Sequence, residues 1–142
     1  MRSVYPAIFT QTYDEKETVL IEVPDLEILT EGYGMADAIA MARDAIGLKG
    51  ISLEDDNRTI PNPRNVKDID ITNATFRDDG EHCITLVDID FKEYRRAVDN
   101  RSVRRNVTLP NWLNKEAEQA HINVSNVLKE ALMEVLGVTQ PR

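Results

Sequence analysis

The chain has 142 residues, of which 42% are hydrophobic and 30% are charged, with a net charge of −8. This balance is that of one or two soluble globular domains, and it excludes wholesale disorder. The longest apolar runs fall well short of the roughly 18 residues of a membrane helix, and the first residues lack the apolar segment of a signal peptide. The single cysteine, Cys83, excludes an internal disulfide and an all-cysteine zinc site. We therefore expect a cytoplasmic protein without membrane contact.

The charge is divided unevenly along the chain. Residues 1–92 carry 9 Lys and Arg against 19 Asp and Glu, a net −10, whereas residues 93–142 carry 8 against 6, a net +2. The acidic part should repel phosphate and attract a basic partner, while the last part has a local arginine cluster suited to docking an anion.

The first part of the chain is predicted to be α+β. Val4–Tyr13 and Thr18–Val23 are rich in β-formers and should pair as a hairpin, and Pro24 should stop the second strand. Leu26–Tyr33 is predicted as a third short strand.

An amphipathic helix should follow from Gly34 to Ile46, with Gly47 and Gly50 as its terminators. The alternation in Asp68–Thr72 suggests an edge strand, and Cys83–Phe91 predicts a strong one. We expect a small mixed sheet of three or four strands with one main helix on one face.

The second part predicts a short strand, Arg104–Pro110, followed by two helices. The first helix should run from Asn111 to about Ala120 and the second from Val124 to about Leu136, with Asn123 as its N-cap and Gly137 as its stop. The predicted organisation is a domain over residues 1–92, a linker over 93–103 and a second domain over 104–142.

The sequence offers little to support catalysis or metal binding. His82 and Cys83 are neighbours that point to opposite faces of a strand, and His121 is distant in sequence. No glycine-rich phosphate loop is present, and the first strand lacks the carboxylates of a two-metal nuclease. We expect no catalytic residue, no metal site and no cofactor.

A strand and two amphipathic helices cannot bury their own apolar faces. If two copies pair their strands antiparallel, the four helices share one core, which is the ribbon-helix-helix arrangement that reads the DNA major groove. Strand alternation then turns Arg104, Asn106 and Thr108 outward towards base edges, and the start of the last helix, at Asn123 and Ser125, can hold a phosphate. The alternative is a dimerisation module with a solvated outer strand face.

Several segments resemble one known family. Asn106–Leu113 (NVTLPNWL) and Ala120–Leu132 (AHINVSNVLKEAL) resemble the ribbon-helix-helix tail of HicB antitoxins. Tyr5–Ala7, the strand that ends at Pro24–Leu26 and the alanine-rich helix resemble the HicB N-terminal domain, although many family members continue after Pro-Asp-Leu with a Pro-Gly-Cys-like turn where this chain has Glu27–Leu29.

The resemblance implies a type II toxin–antitoxin system and a non-enzymatic, degenerate RNase H-like N-terminal domain. That domain would neutralise a HicA-like mRNA-cleaving toxin, and the second domain would repress the operon by binding operator DNA as a homodimer or as a tetramer of two such dimers. For the toxin contacts we expect the acidic residues Asp14, Glu15, Glu17 and Asp25. The competing hypothesis is a ligand-sensing ribbon-helix-helix repressor without a toxin partner.

Overall fold

The computed structural model describes residues 2–139 of the chain. It divides into two compact units, Met1–Val98 and Asp99–Arg142. The first unit extends beyond the predicted boundary at residue 92, because residues that were expected in the linker form a helix that packs on it.

The first unit is an α+β structure with a four-stranded antiparallel sheet. Its strands are β1 (Arg2–Gln11), β2 (Thr18–Val23), β3 (Ile28–Tyr33) and β4 (Glu81–Asp90), in the spatial order β3-β2-β1-β4. The predicted hairpin of β1 with β2 and the third strand are confirmed. The expectation of a mixed sheet is wrong, because β4 is also antiparallel to its neighbour β1. The register runs from Glu81 opposite Gln11 to Asp90 opposite Arg2.

Helix α1 covers one face of this sheet and is longer than predicted. It spans Met35–Asp55, so Gly47 and Gly50 lie inside it rather than at its end. The reason is close packing against helix α2 (Phe91–Val98): a Cβ on Gly47 would lie 2.6 Å from the Tyr94 ring, and one on Gly50 would overlap the Phe91 ring. Between α1 and the sheet lies the main core, which contains Tyr5, Phe9, Ile21, Ala42 and Ile46 among others.

The second face of the sheet is partly covered by the segment between α1 and β4. Ile69 and Ala74 of this segment pack on Ile8, and Glu22 on β2 accepts hydrogen bonds from Thr75. The edge strand predicted at Asp68–Thr72 is wrong: the chain forms two 3-10 turns, Val66–Asp68 and Ile71–Asn73, and the Asp70 carboxylate caps the second by accepting from the Thr72 amide.

The second unit contains helices α3 (Asn111–Gln119) and α4 (Val124–Leu136), close to the predicted bounds. Asn123 caps α4 by accepting from the Asn126 amide, and Gly137 ends it with a left-handed φ of 66°, as predicted. Arg104–Pro110 forms no hydrogen-bonded strand in this single chain, since a strand needs a paired neighbour and a lone ribbon has none.

Candidate partner-binding surfaces

The turn between β1 and β2 presents the acidic residues that the sequence singled out. Asp14, Glu15 and Glu17 are all exposed there. Asp14 Oδ1 accepts from the Thr18 amide at 2.8 Å, and this hydrogen bond lowers the pKa of the Asp14 carboxyl. The carboxylate is therefore ionised and held in place at neutral pH, and it keeps a fixed negative charge at the tip of the hairpin.

An open cleft of about 340 Å³ lies beside this turn. Asp14 and Glu17 contribute to its lining together with Tyr13, Gly34 and Met35. Tyr13 is 69% exposed, and its hydroxyl donates to Glu81 at 2.6 Å, which raises the pKa of the Tyr13 phenol. The cleft combines carboxylates with an aromatic ring and a thioether, a chemistry that suits the aliphatic stem and cationic end of a Lys or Arg side chain.

Asp25, the fourth acidic residue predicted to contact a partner, lies in a different setting. Only 4% of its side chain is exposed, and its carboxylate accepts from both the Arg64 amide and Arg64 Nε. It fastens the loop that follows α1 to the 3-10 turn Pro24–Leu26. The structure therefore does not bring Asp25 together with the three turn carboxylates as an exposed group.

The outward face of β2 and β3 carries exposed apolar side chains that sequence reasoning did not single out. Leu29 and Tyr33 are 55% and 54% exposed, while Gly32, between them, faces the Ala38 backbone of α1 at contact distance. The signal was present in the sequence: once β3 is placed, Leu29, Glu31 and Tyr33 alternate on the side that α1 leaves open.

In the second unit the predicted DNA-contact residues are all exposed. Arg104 and Ser125 line a groove of about 620 Å³ with Arg105 and Lys129, over a floor that includes Leu128 and Leu132. Asn106 and Thr108 follow Arg104 on the unpaired segment, and the Asn123 side-chain oxygen is occupied by its cap on α4. The groove thus has a basic rim and an apolar floor. Of the rim residues, the sequence analysis predicted Arg104 and Ser125 but not Arg105 and Lys129.

No metal-binding or membrane-spanning element is found in the described part of the chain. Within residues 2–139 no group of three or more His, Cys, Asp and Glu side chains could hold a metal ion. No helix among these residues is long and apolar enough to cross a bilayer.

Comparison with known proteins places the chain in one family. Residues 5–132 match the family described as HicB_like antitoxin of bacterial toxin-antitoxin system. No curated protein is significantly similar in sequence.

Two solved structures resemble the chain over nearly its whole length. One is a toxin-antitoxin complex from Streptococcus pneumoniae, with 26% identity, a TM-score of 0.58, and coverage of 94% of this chain and 99% of that one. The other is the antitoxin HicB from Burkholderia pseudomallei, which shares the fold at 20% identity and a TM-score of 0.50, with 95% and 97% covered. Because the family match spans most of the sequence, this chain belongs to the HicB-like antitoxins of bacterial toxin–antitoxin systems.

Proposed function

We propose that this antitoxin neutralises a small, basic, HicA-like mRNA-cleaving toxin through its first unit and represses its own operon through its second unit. The observation that carries the proposal is the family match over residues 5–132, which covers most of both units. The similarity to a chain from a toxin-antitoxin complex supports the toxin partner.

The first unit is suited to a basic partner by charge. Met1–Val98 carries 11 Lys and Arg against 20 Asp and Glu, a net −9. Complementary charge steers encounter and excludes acidic competitors, and a protein that cleaves RNA needs a surface that attracts phosphate. We assign the first toxin contacts to Asp14, Glu15 and Glu17, with Asp25 shaping the same unit through its pairing with Arg64.

The first unit acts by binding and not by catalysis in this proposal. Several of its charged side chains form ion pairs with one another: Asp88 pairs with Arg43, and Arg95 pairs with Glu54 and Asp55. We assign its antiparallel sheet and long helix to a degenerate RNase H-like fold that has lost the catalytic carboxylates.

The second unit requires another copy to complete its core. Among residues 99–139 no side chain is buried, and Val127, Leu132, Val135 and Leu136 of α4 are 49–83% exposed. Exposure of this extent on one short helix is typical of an interface. Pairing of Arg104–Pro110 with its equivalent in a second copy would satisfy the open strand and bring four helices together as a ribbon-helix-helix dimer, which could in turn pair as a tetramer.

In that dimer Arg104, Asn106 and Thr108 would face the DNA major groove. Arginine pairs with guanine, asparagine with adenine, and threonine contacts a base edge or a thymine methyl. Asn123 and Ser125, at the start of α4, would hold a backbone phosphate.

The proposal predicts that a reading frame adjacent to that of this chain encodes a small basic protein, and the test is co-expression with that protein. The proposal expects that protein alone to arrest growth, the full chain to restore growth, and the chain to retard a DNA fragment from its own promoter. Arrest that persists when both proteins are present in equal amounts would contradict the neutralising role, and absence of a promoter shift would contradict the repressor role separately.

A further inference from the structure

The open face of β2 and β3 ends in an apolar patch that the rest of the unit leaves uncovered. We call the outward side chains Leu20, Leu29, Glu31 and Tyr33 the β2–β3 patch. Strand register places Leu20 opposite Glu31 and Leu29 opposite Glu22, so these side chains stand next to one another on one face. Segment 66–79 contacts this face at Glu22, through Thr75.

A second apolar patch on the same sheet face provides a natural comparison. Leu86 on β4 is 55% exposed, the same fraction as Leu29, and Val4 beside it is 41% exposed. Arg2 and Arg43 both pair with Asp88 next to this second patch, so charges of both signs surround the patch.

The surroundings of the β2–β3 patch are acidic. Residues 18–33 contain four carboxylates and no Lys or Arg; of these, Asp25 is neutralised by Arg64, whereas Glu31 lies within the patch and Glu27 is exposed beside Leu29 in sequence. The hairpin tip adds three more exposed carboxylates against Lys16. A second copy of the same acidic surface would be repelled here, and a basic surface would be attracted.

We propose that the β2–β3 patch is the centre of the surface that docks the basic partner, with an apolar spot on the partner against Leu29 and Tyr33 and a rim of Lys and Arg against Glu31 and the hairpin carboxylates. The inference rests on the proposed toxin neutralisation and specifies its contact surface. Residues that dominate binding energy lie near the centre of an interface and are enriched in Tyr, and apolar neighbours around them exclude water, while charged rims set the rate of encounter. Tyr33 is already positioned for this role, because its amide donates to Asp37 at 2.8 Å and its hydroxyl lies 3.4 Å from Glu31 Oε1.

The experiment compares full-length variants for binding to the purified basic protein encoded by the adjacent reading frame, by calorimetry or biolayer interferometry. Leu29→Ser and Tyr33→Ala are each expected to raise Kd at least tenfold, and Glu31→Lys is expected to lower the association rate. Leu86→Ser is the matched control, since it removes an equally exposed leucine from the same sheet face, and it should leave Kd within twofold. Thermal unfolding of each variant checks that the fold is retained; should one variant unfold, the other two still decide.

Three outcomes would overturn the inference. If Leu29→Ser and Tyr33→Ala bind as tightly as the parent chain, the β2–β3 patch is excluded as the docking surface, while the proposed function stands. An equal loss in Leu86→Ser places the contact elsewhere on the face, and a change in sedimentation mass on Leu29→Ser assigns the patch to a second copy of the chain. Failure of the parent chain to bind at all would instead refute the proposed function, and the inference with it.

Discussion

The ring of Tyr94 lies directly against the backbone of Gly47, so close that a Cβ at this position would come within 2.7 Å of three ring carbons. This contact fastens α2 to the middle of α1, and the Tyr94 hydroxyl extends it by donating to Asp44 at 2.6 Å. The end of the first unit is thereby held against its main helix. Each of the two glycines in α1 weakens a helix by about 1 kcal/mol relative to alanine, but only a residue without a Cβ leaves room for this packing.

Gly47→Ala should therefore destabilise the first unit even though alanine is the better helix former. Overpacking costs about 1–3 kcal/mol, whereas the gain in helix propensity is about 1 kcal/mol, so we expect a net loss of up to about 2 kcal/mol in the free energy of unfolding, measured by urea denaturation. The control is the same change in a Tyr94→Ala background, where the clash is gone and Gly47→Ala should be neutral or stabilising. A loss of equal size in both backgrounds would contradict the packing explanation.

The pKa of Asp88 should depend on Arg43. The Arg43 guanidinium donates to Asp88 Oδ1 at 3.0 Å and holds the pKa of this carboxyl below its ordinary value. A depressed pKa means stability that is present above the unfolded value near 3.9 and is lost as the pH falls through the folded value. Arg43→Met should raise the pKa of Asp88, followed by its side-chain carbon resonance during an acid titration. An unchanged titration curve for Asp88 in Arg43→Met would contradict the pairing. Asp70, whose carboxylate accepts a hydrogen bond from Thr72 instead, serves as the internal reference.

Leu132 should report on self-association of the second unit. It is 49% exposed in the single chain, so Leu132→Asp costs little unless another copy covers it. In the proposed dimer the buried charge would cost several kcal/mol, and sedimentation should then show dissociation or aggregation. Val98→Asp is a suitable control, since Val98 is 47% exposed but belongs to the first unit. A parent-like oligomer for Leu132→Asp would exclude this face of α4 from the interface.

Arg104→Ala and Asn106→Ala should each weaken binding to the operator by about 1–3 kcal/mol and relax the preference at one base pair. Arg96, an exposed arginine on α2, is expected at most to touch a DNA phosphate, so Arg96→Ala should at most reduce the salt dependence of binding. Arg95 is a poor choice for that control, because its guanidinium is paired with Glu54 and Asp55. Operator binding by Arg104→Ala and Asn106→Ala at the parent level in a gel shift would mean that the strand faces are reversed or that the unit only dimerises.

Local signals in the sequence were sufficient for much of the fold. The β-forming residues of Thr18–Val23, the proline that follows them and the cap at Asn123 all act within a few residues, and the structure confirms each. The glycines of α1 misled the prediction, because the rings that require them come from Phe91 and Tyr94, some forty residues further along the chain.

Candidate contact surfaces were less accessible to sequence reasoning. The carboxylates of the β1–β2 turn are exposed as expected, but Asp25 is turned to Arg64, a pairing over 39 residues that no local pattern encodes. The exposure of Leu29 and Tyr33 could not be predicted from the sequence, because it depends on which side of β3 the helix leaves open. The strand Arg104–Pro110 depends on a second chain, so a single copy leaves that prediction open.

The most direct test of toxin neutralisation is cleavage of RNA by the basic protein that we expect an adjacent reading frame to encode, with and without the purified full-length antitoxin. One equivalent of the chain is expected to abolish cleavage, whereas Leu29→Ser should require a large excess to do so and Leu86→Ser should act like the parent. Cleavage that continues undiminished in a stoichiometric mixture would contradict the claim that this chain neutralises that protein.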